Sequence, residues 1–283
     1  MMKSSSFALP RMFSSMPISG RIGVILVSFW VVIALIGPFI SPHDGGQVVS
    51  QDVFLGSSMA FPLGTDYLGR DVLSRILYGT RYTVGLALTA AVLASSIGIG
   101  LGLFATVNGR YVDAFVSRII DALISIPSKM LALVIVAAFG SSIPLLITIA
   151  ALSFTPGAFR IARSLAVNLQ TLEYVQVAKV RGEGRFYVAW VEILPNMIHP
   201  MLADFGLRFV FIVLLLSGLS FLGLGVQPPH ADLGSLVREN ISGLGQGALA
   251  VIAPSFAIAT LTVGVNILID SLPRLGLRTG GES

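Results

Sequence analysis

The sequence predicts an all-α polytopic membrane protein with about six transmembrane helices and both termini on the cytoplasmic side. Three observations lead there. Hydrophobic residues make up 54% of the chain and charged residues only 11%. Soluble domains carry roughly 25% charged residues, so a bilayer is the solvent that makes this composition stable. Six apolar runs recur, at 22–40, 83–107, 119–139, 143–165, 203–226 and 248–270, each near or above the ~20 residues that cross a hydrocarbon core. Finally, Lys and Arg are shared unevenly between the alternate connecting segments.

Residues 1–21 form a basic cytoplasmic N-terminus, and 22–40 is the first transmembrane helix. That run is longer than the ~7–15 apolar residues of a signal peptide and no A-x-A-like site follows it, so a retained span is predicted. Residues 41–82 form an extracytoplasmic segment. The second span, 83–107, holds Gly98 and Gly102 in G-x-x-x-G spacing, which lets two helix backbones approach closely. Packing within the monomer is the simpler reading, and a dimer contact is the alternative. The third and fourth spans are joined by little more than Gly140–Ser142, so they are antiparallel neighbours. Pro127 and Pro156 predict kinks in them. A charged cytoplasmic loop follows at 166–202, an extracytoplasmic one with Pro228-Pro229 at 227–247, and a cytoplasmic tail at 275–283. The runs do not alternate with period two, which argues against a β-barrel.

Orientation follows from the cations. With the N-terminus inside, the inner segments carry Lys3, Arg11, Arg21, Arg110, Arg118, Arg160, Arg163, Lys179, Arg181, Arg185, Arg208, Arg274 and Arg278, and the outer ones only Arg70, Arg75, Arg81 and Arg238. The positive-inside rule selects this arrangement.

Several functions are excluded. The net charge is +4, but the cations lie between apolar runs, which is a membrane pattern and not a nucleic-acid one. No cysteine is present, and His43, His199 and His230 make no ligand spacing, so no metal site is expected. No G-x-x-x-x-G-K-[ST], G-x-S-x-G or H-E-x-x-H occurs. The chain therefore has no expected catalytic residues and is not expected to be an enzyme.

The most informative stretch is 173–196, EYVQVAKVRGEGRFYVAWVEILPN. Residues 173–181 are good helix formers, and Gly182-Glu-Gly184 ends them because glycine supplies the positive φ of a helix end. A second helical stretch, 185–194, is predicted to stop before Pro195. Short helices are marginal alone, so either a partner packs on this one or it lies on the bilayer with Phe186, Tyr187 and Trp190 at the headgroups.

Glu173, Ala178 and Gly182, followed by Leu194 and Pro195, resemble the EAA loop of ATP-binding-cassette (ABC) importer permeases. PLGTDYLGRDVLSR at 62–75 and LSFLGLGVQPP at 219–229 resemble the second-permease subunits of dipeptide, oligopeptide and nickel importers. The resemblance runs from about residue 20 to 274. It implies that 83–274 is the importer transmembrane domain, with 173–196 as the coupling helix that sits in a cleft of an ATPase subunit. It further implies a bacterial inner-membrane location, a homologous second permease, two ATPase subunits that bind ATP and Mg, and an extracytoplasmic solute-binding protein. No cofactor is expected in this chain. Peptide is the implied substrate, with nickel, opine, glutathione or oligosaccharide as alternatives, and an ion-driven secondary carrier as the competing class.

Two further groups are candidate sites. Asp121 and Lys129 fall in the third span, where ionisable residues are costly and usually face a partner or a water-filled path. Asp121 is expected near the cytoplasmic end, paired with an Arg. Lys129 either lines the path and attracts substrate carboxylates, or snorkels, or pairs with a carboxylate on the partner permease. In the outer segment Asp66, Arg70, Asp71 and Arg75 have i, i+4 spacing, which on a helix pairs Asp66 with Arg70 and Asp71 with Arg75. They are expected to form a charged outer face that contacts the binding protein or the partner permease.

Overall fold

The computed structural model describes residues 17–246 and 248–279, with side chains through Ser271. Lys3 and Arg11 of the predicted N-terminal segment, and 280–283 of the predicted tail, lie outside the described residues. The chain is all-α. Two isolated β-bridges, Val48–Arg70 and Thr65–Asp71, are the only β pairing among the described residues.

Among the described residues nine α-helices follow one another: α1 (Ile18–Ile40), α2 (Val72–Val107), α3 (Arg110–Ile124), α4 (Ser128–Phe139), α5 (Ile143–Leu169), α6 (Glu173–Val180), α7 (Arg185–Phe221), α8 (Leu233–Glu239) and α9 (Leu249–Thr279). Among the described residues α1, α2, α5, α7 and α9 are each long and apolar enough to cross a membrane, and α3 with α4 makes a sixth crossing if the bent pair counts as one.

The predicted third span is thus not one helix. The chain breaks at Ser125–Pro127, and α3 and α4 meet at 74°. Pro127 has no N–H to give, and its ring disfavours the helical conformation at Ile126. At 15 and 12 residues the two halves reach ~22 and ~18 Å, and neither alone covers the ~30 Å hydrocarbon core. Pro156, by contrast, lies inside an unbroken α5.

Helix α2 is the centre of the bundle and begins eleven residues before the predicted second span. Asp71 caps its start by accepting from the N–H groups of Leu73 and Ser74. Its 36 residues extend ~54 Å, well beyond a hydrocarbon core, so one end projects from it. Its inner side is lined by small residues, with Ala87, Ala90, Ala91 and Ala94 fully buried. A Cβ on Gly98 would lie 2.3 Å from Ala158 Cβ, and one on Gly102 would lie 2.9 Å from Ala162 Cβ. The G-x-x-x-G spacing therefore serves α2–α5 packing within the chain. Helix α1 closes on α9 and α2. Gly23 abuts the Leu268 backbone, Gly37 abuts that of Leu77, and Trp30 Nε1 donates to Thr260 Oγ1 at 3.0 Å.

The 227–247 segment folds back as α8 and packs on α2, α7 and α9. Asp232 caps α8 in a capping box with Ser235, and Ser220 Oγ donates to it at 2.8 Å. Burial raises the Asp232 pKa against the hydrogen bonds from Ser235 and Ser220, which lower it. An acid whose folded pKa is raised stabilises the fold below the unfolded value of about 4, and that contribution is lost as pH rises through the raised value. Asp232→Asn keeps an N-cap acceptor without a charge. Its thermal midpoint is therefore expected to stay level over the pH range in which the wild-type midpoint falls. Parallel curves for the two would contradict this account.

Candidate functional site

Helix α6 projects from the bundle where α5 ends. Only Val175 and Ala178 are buried. The end is tied to α2, since Gln170 Nε2 donates to the Thr106 carbonyl at 3.0 Å and Arg185 to Asn108 Oδ1 at 3.2 Å. Gly182, with φ +82°, ends α6 in a Schellman motif: its N–H donates to the Lys179 carbonyl at 3.0 Å, and that of Glu183 to Ala178 at 3.2 Å. The left-handed residue is Gly182 alone, because Gly184 has φ −69° and instead starts the next helix. Glu173 stands exposed in the first turn, where a carboxylate complements the helix dipole. Val180 is 89% exposed and Phe186 75%. Val177, Trp190 and the cations Lys179, Arg181 and Arg185 are exposed as well, so the surface of the loop is apolar and basic.

The second helical stretch does not stop before Pro195. Helix α7 runs unbroken from Arg185 to Phe221, passing through a π turn at Val188–Ile193. In that turn the Leu194 N–H donates to Ala189, five residues back. A π turn takes up one extra residue and shifts the bonding register, which absorbs the N–H that Pro195 lacks and the clash of its ring. Leu194 is half-buried against the cluster around Val175, Val188 and Ile193, while Pro195 is exposed. Of the five motif residues, Ala178 and Leu194 thus anchor the loop, Gly182 shapes it, and Glu173 and Pro195 face outward.

Further along α7 lies a pair that the sequence reading did not single out. Asp204 holds Arg208 in a two-point ion pair, Nε–Oδ2 2.6 Å and Nη2–Oδ1 2.8 Å, and both side chains are buried. Arg208 Nη1 also donates to the Phe154 carbonyl at 2.7 Å. The guanidinium fits there because residue 157 is glycine, on which a Cβ would come within 2.8 Å of Nη1. Next to it is a cleft of about 300 Å³ between the α3–α4 break and the part of α5 around Pro156, lined by Ile126, Pro127, Ser128, Ser153, Arg160 and Arg208 among others. An acid and a base at i, i+4 in an otherwise apolar stretch was the available signal.

Asp121 pairs with Arg160 at 2.7 Å, both half-exposed, and Arg163 pairs with Asp113. These two bridges fasten α3 to α5. Lys129 is exposed in the first turn of α4, beside the cleft-lining Ser128, and has no ion-pair partner among the described residues. The 74° break removes the straight-helix geometry on which Asp121 and Lys129 were related.

The four outer charged residues are not an exposed helix. Residues 66–71 form a turn before α2, and Asp66, Asp71 and Arg75 are buried. Asp66 accepts from Arg70 Nε at 2.7 Å, from Arg75 Nη1 at 2.8 Å and from the N–H groups of Leu68 and Arg70. Glu239 of α8 joins both arginines, at 2.9 Å to Arg70 and 2.7 Å to Arg75. Asp71 pairs with Ser74 and His43, not with Arg75. For Arg70, burial lowers the pKa but Asp66 and Glu239 together raise it above its usual value. The cause is local: Gly64 and Gly69, at φ +76° and +74°, turn the chain back before a helix can start. Tyr67 N–H donates to Asn240 Oδ1 at 3.0 Å, so the 62–75 stretch is fastened to α8 at the end of α2 opposite α6.

Residues 98–275 match the family described as binding-protein-dependent transport system inner membrane component. A dipeptide transport system permease protein of Haemophilus influenzae is 30% identical over 89% of this chain and 87% of its own. One from Alkalihalophilus pseudofirmus is 30% identical over 89% and 83%. A glutathione transport system permease protein of Pectobacterium atrosepticum is 31% identical over 88% and 81%. With more than half of its 283 residues matched and a membrane-crossing bundle to match, the chain belongs to the family of binding-protein-dependent transport permeases, multi-pass proteins of the bacterial inner membrane.

Proposed function

We propose that this chain is one of two homologous permeases in an ATP-driven importer of the dipeptide class, and that α6 is its coupling helix. In this reading α6 and both termini face the cytoplasm, in keeping with the cation distribution. Two ATPase subunits bind ATP and Mg. A solute-binding protein delivers the peptide at the α8 end, and the peptide passes between this chain and its partner. Peptide is favoured by the relatives named for dipeptides, with glutathione as the alternative.

The observation that carries the reading is one unbroken helix. The loop face at Arg185 and the cleft residue Arg208 lie on α7, about 35 Å apart along its axis. A push on α6, held to α7 through Val175, Val188 and Ile193, reaches the cleft through a rigid element and not through a chain of loops. At the cleft, the α3–α4 break leaves two helix ends free to shift. In this reading Lys129, next to the cleft-lining Ser128, and Arg160, which lines the cleft and pairs with Asp121, belong to the path, and Lys129 attracts the substrate carboxylate.

Gly182 tests the coupling. Nothing lies within 4 Å of a Cβ placed there, so Gly182→Val acts only through the left-handed backbone, at about 1–2 kcal/mol. The expected outcome, in proteoliposomes holding the complete importer, is ATP hydrolysis that continues while peptide uptake falls at least tenfold, with membrane insertion unchanged. Uptake at the full wild-type rate would remove α6 from the coupling role.

A further inference from the structure

At the α8 end of the chain a second cavity, of about 160 Å³, opens between the 44–46 segment, the first turns of α2 and the 229–231 segment. Tyr78 and Tyr82 line it from successive turns of one α2 face. Tyr82 Oη is hydrogen-bonded to His230 Nδ1 at 2.7 Å, with the rings 4.9 Å apart, which holds one wall. Gly45 lies flat on the Tyr78 ring, since a Cβ there would come within 3.1 Å of it.

Charge decides what fits. Arg75 is the one Lys or Arg among the lining residues, and its Nη1 is held between Asp66 and Glu239 at 2.8 and 2.7 Å. With Arg70 included, that cluster of two acids and two arginines is neutral. Asp71 is engaged by Ser74 and His43. Arg81 is exposed on α2 and does not line the cavity. Asp44, also exposed, has no ion-pair partner among the described residues, so it supplies the uncompensated charge. A cavity lined by one uncompensated acid and two tyrosines favours a cation, which aromatic rings also attract. At the ~30 Å³ that a water occupies in the liquid, the cavity has room for about five waters, the scale of an ammonium group and its Cα substituents.

The geometry points to a receptor for the α-ammonium group of an incoming peptide, with Asp44 as counter-ion and Tyr78 and Tyr82 as aromatic walls. The inference rests on the peptide-importer reading for its substrate, but the cavity makes its own prediction. Glycinamide, which has the ammonium group and no carboxylate, is the probe. In saturation-transfer NMR on the purified importer without its binding protein, glycinamide is expected to bind the wild type and to lose affinity about tenfold in Asp44→Asn. Asp44→Glu should retain it, and acetamide should bind neither. Equal binding to wild type and Asp44→Asn, or none to the wild type, overturns the ammonium site. A complex that binds glycinamide through Asp44 yet takes up no dipeptide once its binding protein and ATP are supplied overturns the peptide reading and leaves the site standing.

Discussion

Asp204→Ala is expected to destabilise the folded chain by about 3–5 kcal/mol, because it leaves Arg208 buried and uncompensated. Arg208 is 6% exposed and Asp204 8%, so little water reaches the pair to replace the lost carboxylate. The Phe154 carbonyl remains as an acceptor, but it offers only part of a countercharge. A double replacement, Asp204→Leu with Arg208→Met, removes both charges at similar volume and is expected to keep the fold. Thermal unfolding in detergent separates the two variants, and ATP-driven uptake then shows what the pair does beyond stability. A folded double variant without uptake places Arg208 in the moving machinery. Full uptake by it would mean that the pair only holds α7 together. Unfolding of the single variant at the wild-type temperature would contradict the buried-pair account itself.

Gly98→Val is the second large effect. A Cβ at this position already lies 2.3 Å from Ala158 Cβ and 2.8 Å from the Phe159 nitrogen. The second of these is backbone, so relief requires α2 and α5 to separate along the most extensive contact in the bundle. Overpacking of this kind costs typically 1–3 kcal/mol and occasionally more. Gly98→Val is expected at or above the top of that range, with Gly102→Ala below it. Gly100 is the internal control, since nothing lies within 4 Å of a Cβ there, and Gly100→Ala should gain up to about 1 kcal/mol from helix propensity. Membrane yield and thermal midpoint report all three. Equal effects at 98 and 100 would mean that the α2–α5 approach is not limited by residue 98.

Much of this fold was legible in the apolar runs, because length and hydropathy are local properties. Five of the six runs became single helices. Gly182 was equally plain, since a glycine after a helix-forming stretch identifies its own backbone conformation. What failed to show was compensation from a distance. The first turns of α2 looked polar because Arg75 stands in them, but its partner Glu239 is 164 residues away. Helix α8 was hidden in a proline-bearing loop for the same reason, its burial being supplied by α2, α7 and α9. Arg208 was counted as a loop cation, since nothing local says that a glycine on another helix makes room for its guanidinium. Pro195 was read as a stop because a π turn leaves no mark in composition.

That π turn sets a phase as well as a path. Each residue of an α-helix advances the chain by 100°, so an inserted residue at Val188–Ile193 rotates everything beyond it relative to everything before. The azimuth of the loop end of α7 and the azimuth at which Arg208 meets Phe154 are therefore set separately, like two cranks keyed to one shaft. Under the coupling proposed for α6, a displacement of the loop that winds or unwinds this turn would reach the cleft as torque as well as thrust.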